Sequence, residues 1–177
     1  MRIISGKFKG RKIKYNNLQN VRPTTDRTKE SLFNILNHYF VFEEISALDL
    51  FSGSGNISFE LASRGVKKIT SVEKNIKCVK FINNFSKILD VNLNVVNIST
   101  LKFLNITRSR FNLIIADPPY SHPKKEIEAL IDLIFRKKIL KKNGILVIEH
   151  HKKNILNDNE FLFDKRTYGT NSLSFYK

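Results

Sequence analysis

The stretch Ala47-Leu-Asp-Leu-Phe-Ser-Gly-Ser-Gly-Asn56 decides how the rest of the chain is read, because an apolar strand runs straight into a glycine turn and then into a helix. In that order the backbone N–H groups of the turn can approach a ligand with no Cβ in the way, and the glycines at issue are Gly53 and Gly55. A Gly-x-Gly alone is equally an ordinary tight turn. Glu73 changes the weighing. It ends the next apolar stretch, twenty residues after Gly53, the position from which a carboxylate receives hydrogen bonds from both ribose hydroxyls of an adenosine cofactor. Asp49 places a second carboxylate near the turn, which suits a cationic ligand better than a pyrophosphate. An Asp that only accepts N–H bonds from its own loop fits that position equally well. Ser58 stands where a dinucleotide fingerprint has its third glycine, which points away from NAD and toward S-adenosylmethionine, a cofactor without a pyrophosphate.

Working outward, short apolar strands alternate with helices from residue 46 onward, the pattern of a parallel sheet covered on both faces. The expected strands are 46–51, 68–73, 94–97, 112–117 and 145–149, and the expected helices 56–64, 75–89 and 124–138. The last helix carries Ile127, Leu130, Ile131 and Ile134 on one face. Asn143-Gly144 reads as a turn into the fifth strand, and Phe161-Leu-Phe163 with Ser172-Leu-Ser-Phe-Tyr176 about Gly169 as a closing antiparallel hairpin. Upstream, 2–6 and 10–15 read as a small hairpin, Pro23 as a turn, and Thr25 or Asp26 as the cap of a helix presenting Leu32, Phe33, Leu36, Tyr39 and Phe40. The fold class is α/β and Rossmann-like, with residues 1–24 as a basic hairpin arm and 25–177 as one Rossmann-like domain.

With 177 residues, 41% of them hydrophobic, the chain can bury one core despite a net charge of +15, which excludes intrinsic disorder. Apolar runs such as Ile145-Leu-Val-Ile148 fall far short of the roughly 20 residues a membrane span needs. The single Cys78 closes no intrachain disulfide and no Cys/His grouping has zinc spacing. A cytoplasmic, metal-free monomer is expected. Charge placement says more than charge total: residues 1–30 carry Arg2, Lys7, Lys9, Arg11, Lys12, Lys14, Arg22, Arg27 and Lys29 against Asp26 and Glu30. That density suits a polyanion-binding arm, with a merely solvated hairpin as the alternative. Lys124, Lys125, Lys152 and Lys153 follow strands and belong at the catalytic edge, whereas Lys137, Lys138, Lys141 and Lys142 precede the fifth strand, belong at the opposite edge and are expected to matter little.

Asp117-Pro-Pro-Tyr120 follows the apolar Leu113-Ile-Ile-Ala116, so it sits at the carboxyl edge of the fourth strand, where open α/β sheets bind ligands. Two prolines fix φ and remove two donors, leaving a rigid loop that presents carbonyls and one carboxylate. Acceptors at Asp117 and the Pro118 carbonyl can hold both hydrogens of a planar exocyclic amine and turn its lone pair toward a methyl donor, and Tyr120 offers a face on which an unstacked base can lie. Alone, the tetrapeptide is a plain turn; downstream of the glycine turn and Glu73 it forms a specific constellation. His150-His151 are poor joint metal ligands because neighbours on a strand point to opposite sides. They read as polar residues at a strand end, His122, two residues beyond Tyr120, as either near the substrate or an exposed loop histidine, and Cys78 as a small core or boundary residue.

These residues resemble the class I S-adenosylmethionine-dependent methyltransferases that carry an Asn/Asp-Pro-Pro-Tyr/Phe motif, and most nearly the RsmD family. The resemblance rests on Arg2-Ile-Ile-Ser-Gly-Lys-Phe-Lys-Gly-Arg-Lys12, Arg22-Pro-Thr-Thr-Asp-Arg27, Leu48-Asp-Leu-Phe-Ser-Gly-Ser-Gly55 and Asp117-Pro-Pro-Tyr120, and it spans essentially the whole chain. It implies methylation of guanine N2 in 16S ribosomal RNA, within a small-subunit particle. The implied catalytic residues are Asp117, Pro118, Pro119 and Tyr120. Asp49, Phe51, Gly53, Gly55, Glu73, Ser99 and Thr25 would hold S-adenosylmethionine, and Lys7, Lys9, Arg11, Lys12, Arg22, Arg27, Lys124 and Lys125 would meet RNA. One departure stands out: family members commonly have Asp-Ala after the third strand, where the carboxylate accepts the adenine amino group, and this chain has Ser99-Thr100. A hydroxyl accepts the same bond without charge assistance, at a loss of about 1 kcal/mol. The competing readings are a DNA adenine-N6 methyltransferase, which generally needs a further target-recognition region, and a non-catalytic RNA-binding assembly factor.

Overall fold

The computed structural model describes residues 1–14, 26–119 and 121–177. Its centre is a seven-stranded sheet of order β3-β2-β1-β4-β5-β7-β6. The strands are β1 (Ser46–Leu50), β2 (Lys68–Glu73), β3 (Asn94–Asn97), β4 (Phe111–Ala116), β5 (Leu140–His151), β6 (Leu162–Tyr168) and β7 (Asn171–Tyr176). The first five run parallel, and β7 pairs antiparallel with both β5 and β6. All five residues of β1 are buried, as expected for a central parallel strand covered on both faces. The helices are α1 (Asp26–Leu36), α2 (Asn56–Ser63), α3 (Ile76–Leu89), α4 (Thr100–Ile106) and α5 (Lys124–Arg136). Two core clusters form against opposite strand faces: Leu48, Leu50, Ile114 and Leu146 face Ile127, Ile131 and Ile134, while Ala47, Leu113, Ile115 and Val147 face Leu32, Phe33, Ile57 and Leu61.

The helix read as carrying Tyr39 and Phe40 on its apolar face ends at Leu36, leaving Tyr39 exposed, and two further elements differ from the sequence reading. The short α4 is absent from it, and its Phe103 and Leu104 are too brief an apolar signal to announce a helix. Asn143-Gly144 is no turn before a strand: β5 already begins at Leu140, and the pair lies inside an irregularity where the register passes from Phe111↔Leu140 to Leu113↔Ile145. Asn143 adopts φ 61°, and a Cβ on Gly144 would lie 2.9 Å from the Asn112 carbonyl oxygen. The bulge therefore needs the two residues that tolerate it.

The N-terminal segment is docked, not free. Ile3 and Ile13 are buried against Phe59, Ile82 and Leu89, and one antiparallel bridge, Arg2↔Lys12, closes the loop. Gly6 lies so close to α2 that an added Cβ would stand 1.8 Å from the Ser63 carbonyl oxygen. The Glu60 carboxylate on α2, fully buried, accepts the N–H groups of Ile4 at 2.8 Å and Ser5 at 3.1 Å. The same carboxylate pairs with Lys29 Nζ at 3.1 Å and Arg64 Nε at 2.9 Å. Lys29 Nζ also donates to the Arg2 carbonyl and to Asn56 Oδ1. Burial lowers the Lys29 pKa and Glu60 partly restores it. Lys29 therefore leaves the set of basic residues free to meet a polyanion. Removing one partner of such a buried group strands the other charge, at a cost of about 3 to 5 kcal/mol. Glu60→Gln is expected to lower unfolding free energy by that order in urea titrations at neutral pH, whereas Arg2→Gln, which removes only the exposed pair with Asp26, should change it by about 1 kcal/mol or less.

Candidate active site

Strand β1 has β2 on one side and β4 on the other, so the winding reverses between β1 and β4 and the loops that leave these strands part to form a crevice. Leu50 pairs with Ala116, which makes Phe51 and Asp117 the first residues beyond the two strands. The Asp117 N–H reaches the Leu50 carbonyl at 3.4 Å. Pro118 is buried, Pro119 is exposed, and the Pro119 carbonyl accepts the His122 N–H at 2.8 Å, closing the loop tightly. Tyr120, Arg22 and Thr25 lie outside the described residues.

Phe51 adopts φ 60°, a conformation costly for an aromatic residue, by about 1 to 3 kcal/mol. Its ring meets His122 edge-on, with centroids 5.3 Å apart at 70°. His122 Nε2 in turn lies 3.2 Å from Glu126 Oε2, so this histidine has partners on both sides, contrary to the alternative that it is a plain exposed loop residue. Gly53 and Glu73 come together: Glu73 Oε2 accepts the Gly53 N–H at 2.8 Å and Oε1 accepts the Asn75 N–H at 2.7 Å. Gly55 serves a different need, since a Cβ there would lie 2.8 Å from Phe59 and 3.0 Å from Ile82. Its bareness lets the turn pack onto α2 and α3.

Asp49 is 2% exposed. Its Oδ2 accepts the Ser58 N–H at 3.1 Å and the Ser58 hydroxyl at 2.5 Å, and Ser58 Oγ lies 2.6 Å from Ser71 Oγ. Of the two roles open to this residue, the bonds formed are those of a carboxylate that fixes its own loop and the first turn of α2. Its carboxyl pKa is pushed up to about 7, chiefly by burial, with the Ser58 bond opposing and the nearby Asp117 charge adding to the rise. Ser58, noted in the sequence only as a missing glycine, is thus the residue that orients Asp49. Ser99 is exposed at the start of α4, just beyond β3, and its side chain caps nothing.

Among the basic residues, Lys7, Lys9, Arg11 and Lys12 are exposed on the docked N-terminal loop, Arg27 is exposed on α1 and Lys125 on α5. Lys124 is engaged, 2.8 Å from Asn157 Oδ1 and 3.6 Å from Glu128. His150 is buried, not a rim residue, with Nε2 2.9 Å from Ser174 Oγ and a lowered pKa caused by burial. Cys78 is buried in α3. Among the described residues no cluster of His, Cys, Asp and Glu could hold a metal ion, and no helix is long and apolar enough to cross a membrane. Sequence reasoning missed Lys29 and Glu60, although a signal existed. Lys29 keeps i, i+3, i+4, i+7 spacing with Leu32, Phe33 and Leu36, and Glu60 follows Ile57 by three, so each charge sits on an apolar stripe.

A family model described as Conserved hypothetical protein 95 matches residues 1–177. The ribosomal RNA small subunit methyltransferase D of Buchnera aphidicola is 35% identical over 178 residues, 98% of this chain and 90% of its own length. The chain belongs to the RsmD methyltransferase family. The Haemophilus influenzae enzyme of the same name is 32% identical over 191 residues, all of this chain and 93% of that one. Among solved structures, the Thermus thermophilus protein TTHA0928 superposes with a TM-score of 0.86 at 26% identity, covering 100% of this chain and 99% of its own. HI0767 of Haemophilus influenzae follows at 0.80 and 31%, covering 99% and 96%. The seven-stranded sheet with its C-terminal antiparallel hairpin is thus the family's fold.

The Asp49 environment yields a pH signature. The folded carboxyl keeps its proton up to about pH 7, while an unfolded Asp releases it near its ordinary value of 3.8. Between those values the folded state binds the extra proton, so this residue's contribution makes stability fall as pH rises through that window. Asp49→Asn removes the slope. Urea titrations should show the variant gaining on the wild type steadily between about pH 4 and 7, and a pH-independent difference would mean that Asp49 is ionised throughout.

Proposed function

We propose that this chain transfers a methyl group from S-adenosylmethionine to the N2 amine of a guanine in small-subunit ribosomal RNA, acting as a monomer on a partly assembled particle. The observation that carries the reading is the abutment of the Asp117 loop and the Gly53 turn at the switch point, with Glu73 tied to Gly53. The names of the Buchnera and Haemophilus relatives support the substrate class.

The crevice suits that cofactor. A carboxylate offers about four lone-pair sites, and Glu73 spends two on Gly53 and Asn75, leaving two for ribose hydroxyls. Asn56, the first residue of α2, is 7% exposed and its Nδ2 has no hydrogen-bond partner among the described residues, an unspent donor beside the glycine turn. Ser99 stands where the adenine would be met. Bound there, S-adenosylmethionine supplies an electrophilic methyl group.

The protein's own work is orientation. Asp117 and the Pro118 carbonyl accept the two amine hydrogens and hold the nitrogen lone pair toward the crevice, and Tyr120 stacks the base. The rigid Pro118-Pro119 loop, anchored at Leu50 and closed onto His122, keeps those acceptors in place without reorganisation. No side chain acts as nucleophile. Once substituted, the nitrogen is strongly acidic and releases its proton without a dedicated base.

Radiolabelled methyl transfer to ribosomal RNA, ribosomal subunits and DNA, followed by nucleoside identification, tests the reading: N2-methylguanosine from the small-subunit arm is expected, and N6-methyladenosine in DNA would replace it with the DNA alternative. Asp117→Ala should abolish transfer and leave calorimetric binding of S-adenosylmethionine largely intact, whereas Glu73→Ala should raise the cofactor KM. Replacing Lys9, Arg11 and Lys12 with Gln should flatten the salt dependence of RNA binding by about 0.7 to 0.9 log–log units per lost phosphate contact.

A further inference from the structure

The amino-terminal edge of the parallel sheet, the edge opposite the reaction crevice, carries two adjoining clefts. One, of about 520 Å³, is lined by Lys67, Lys68, Arg110 and Lys141 together with Ser46, Thr70 and Asn94 near the starts of β1, β2 and β3. The second, of about 410 Å³, shares Arg110 and Lys141 and adds Lys138, Lys142 and the terminal Lys177. No Asp or Glu lines either one. Lys67, Lys68, Arg110, Lys138 and Lys142 are exposed and, among the described residues, none is paired with a carboxylate. Lys141 is held in place by Asn112 Oδ1 at 3.0 Å, an oxygen that also accepts the Ser46 N–H and hydroxyl. Lys137 is no part of the groove, since its Nζ is engaged by the carbonyls of Leu104 and Asn105.

We propose that this continuous basic groove binds the phosphate backbone of a second segment of the RNA substrate, distant from the methylated nucleotide. The inference rests on RNA being the substrate. Concentrated positive charge with no Asp or Glu in its lining suits phosphate contact, and interleaved Ser, Thr and Asn side chains supply neutral donors of the kind that bond phosphate and sugar oxygens. An acidic protein partner would meet the same cations, but those amide and hydroxyl groups favour the sugar-phosphate chain. The parallel strands are five to six residues long where they cross the core, about 20 Å at 3.3 Å per residue. The enzyme thus grips RNA at both ends of its strands, and its footprint exceeds the loop that enters the crevice. This revises the expectation that lysines ahead of the fifth strand matter little: their placement at the far edge holds, but that edge carries a site of its own.

The test compares two triple variants of equal charge loss. Lys68→Gln/Arg110→Gln/Lys142→Gln empties the groove; Lys77→Gln/Lys80→Gln/Lys87→Gln removes the same charge from α3. Binding of a small-subunit ribosomal RNA domain is followed by fluorescence anisotropy across a salt series, and titration with S-adenosylmethionine checks that each variant is folded. The groove variant should show a log–log salt slope shallower by about 2 units, from three contacts at about 0.7 to 0.9 each, with the α3 variant matching the wild type. An unchanged slope in a folded groove variant overturns the proposal, leaving the groove to an acidic protein or to no partner. Equal loss in both variants overturns it too, as diffuse charge. A wild-type protein that binds no RNA defeats the proposed substrate class first and this proposal with it, an outcome the wild-type titration alone reveals.

Discussion

The buried carboxylate of Glu60 is the point on which the arrangement of this molecule turns. It takes four donors, the N–H groups of Ile4 and Ser5, Lys29 Nζ and Arg64 Nε, about as many as its lone pairs can serve. Such saturation makes burial of a full charge tolerable, since the desolvation of each ion is met by a defined partner. The consequence is geometric. Helix α2 begins at the glycine turn and carries Glu60 one turn later, so the turn, the N-terminal segment and α1 are fixed to one another through eight residues of helix. The basic loop of residues 7–12 therefore stands at a set position relative to the crevice.

Burial divides the charges of this chain into two populations that composition cannot separate. Lys29 belongs by count to the basic N-terminal stretch and by structure to the core, because helical phase puts it with Leu32, Phe33 and Leu36. Lys124 likewise stands at the catalytic edge as strand topology predicts, yet its ammonium is engaged by Asn157 and Glu128. Counting cations overstates what a polyanion meets. Edge placement followed by partner assignment gives a truer surface: Lys7, Lys9, Arg11, Lys12 and Lys125 remain exposed toward solvent near the reaction crevice or on the docked loop, and a separate set faces outward from the far edge.

The sheet was legible because each parallel strand is a short apolar run with a turn on either side, and the three longest helices repeat their apolar residues with a clear period. Residues 94–97 and 68–73 fall within their expected limits for that reason. The elements that escaped are those whose cause is tertiary. Helix α4 has seven residues and draws its stability from Phe103 and Leu104 packing under the sheet. The bulge at Asn143 reads as a turn before a strand because the same left-handed conformation serves both, and only the partner strand distinguishes them. At the site, the sequence spacing set Glu73 beside the glycine turn to meet a cofactor, and its bond to the Gly53 N–H was not part of that reading. The division of labour between the two glycines did not show, because Gly55 is constrained by Phe59 and Ile82, neighbours that exist only once α2 and α3 are folded.

Two carboxylates stand close enough at the β1–β4 edge to feel one another, and their surroundings assign them different work. Asp49 is sealed beneath the turn and bonded to Ser58; its pKa near 7 reflects mainly the cost of keeping a charge there. Asp117 lies half-buried at the rim, one residue past β4, with its backbone tied to Leu50. Burial and the Ser58 bonds commit Asp49 to the scaffold, whereas Asp117 reaches the rim where the loops part. The interaction is mutual: a charge on either acid raises the cost of a charge on the other. A proton held on Asp49 therefore lowers the negative charge beneath the rim. Ser58 works against that proton, because its hydroxyl and N–H favour the ionised form, and it stands where a dinucleotide-binding turn would carry glycine because the buried acid needs those two donors.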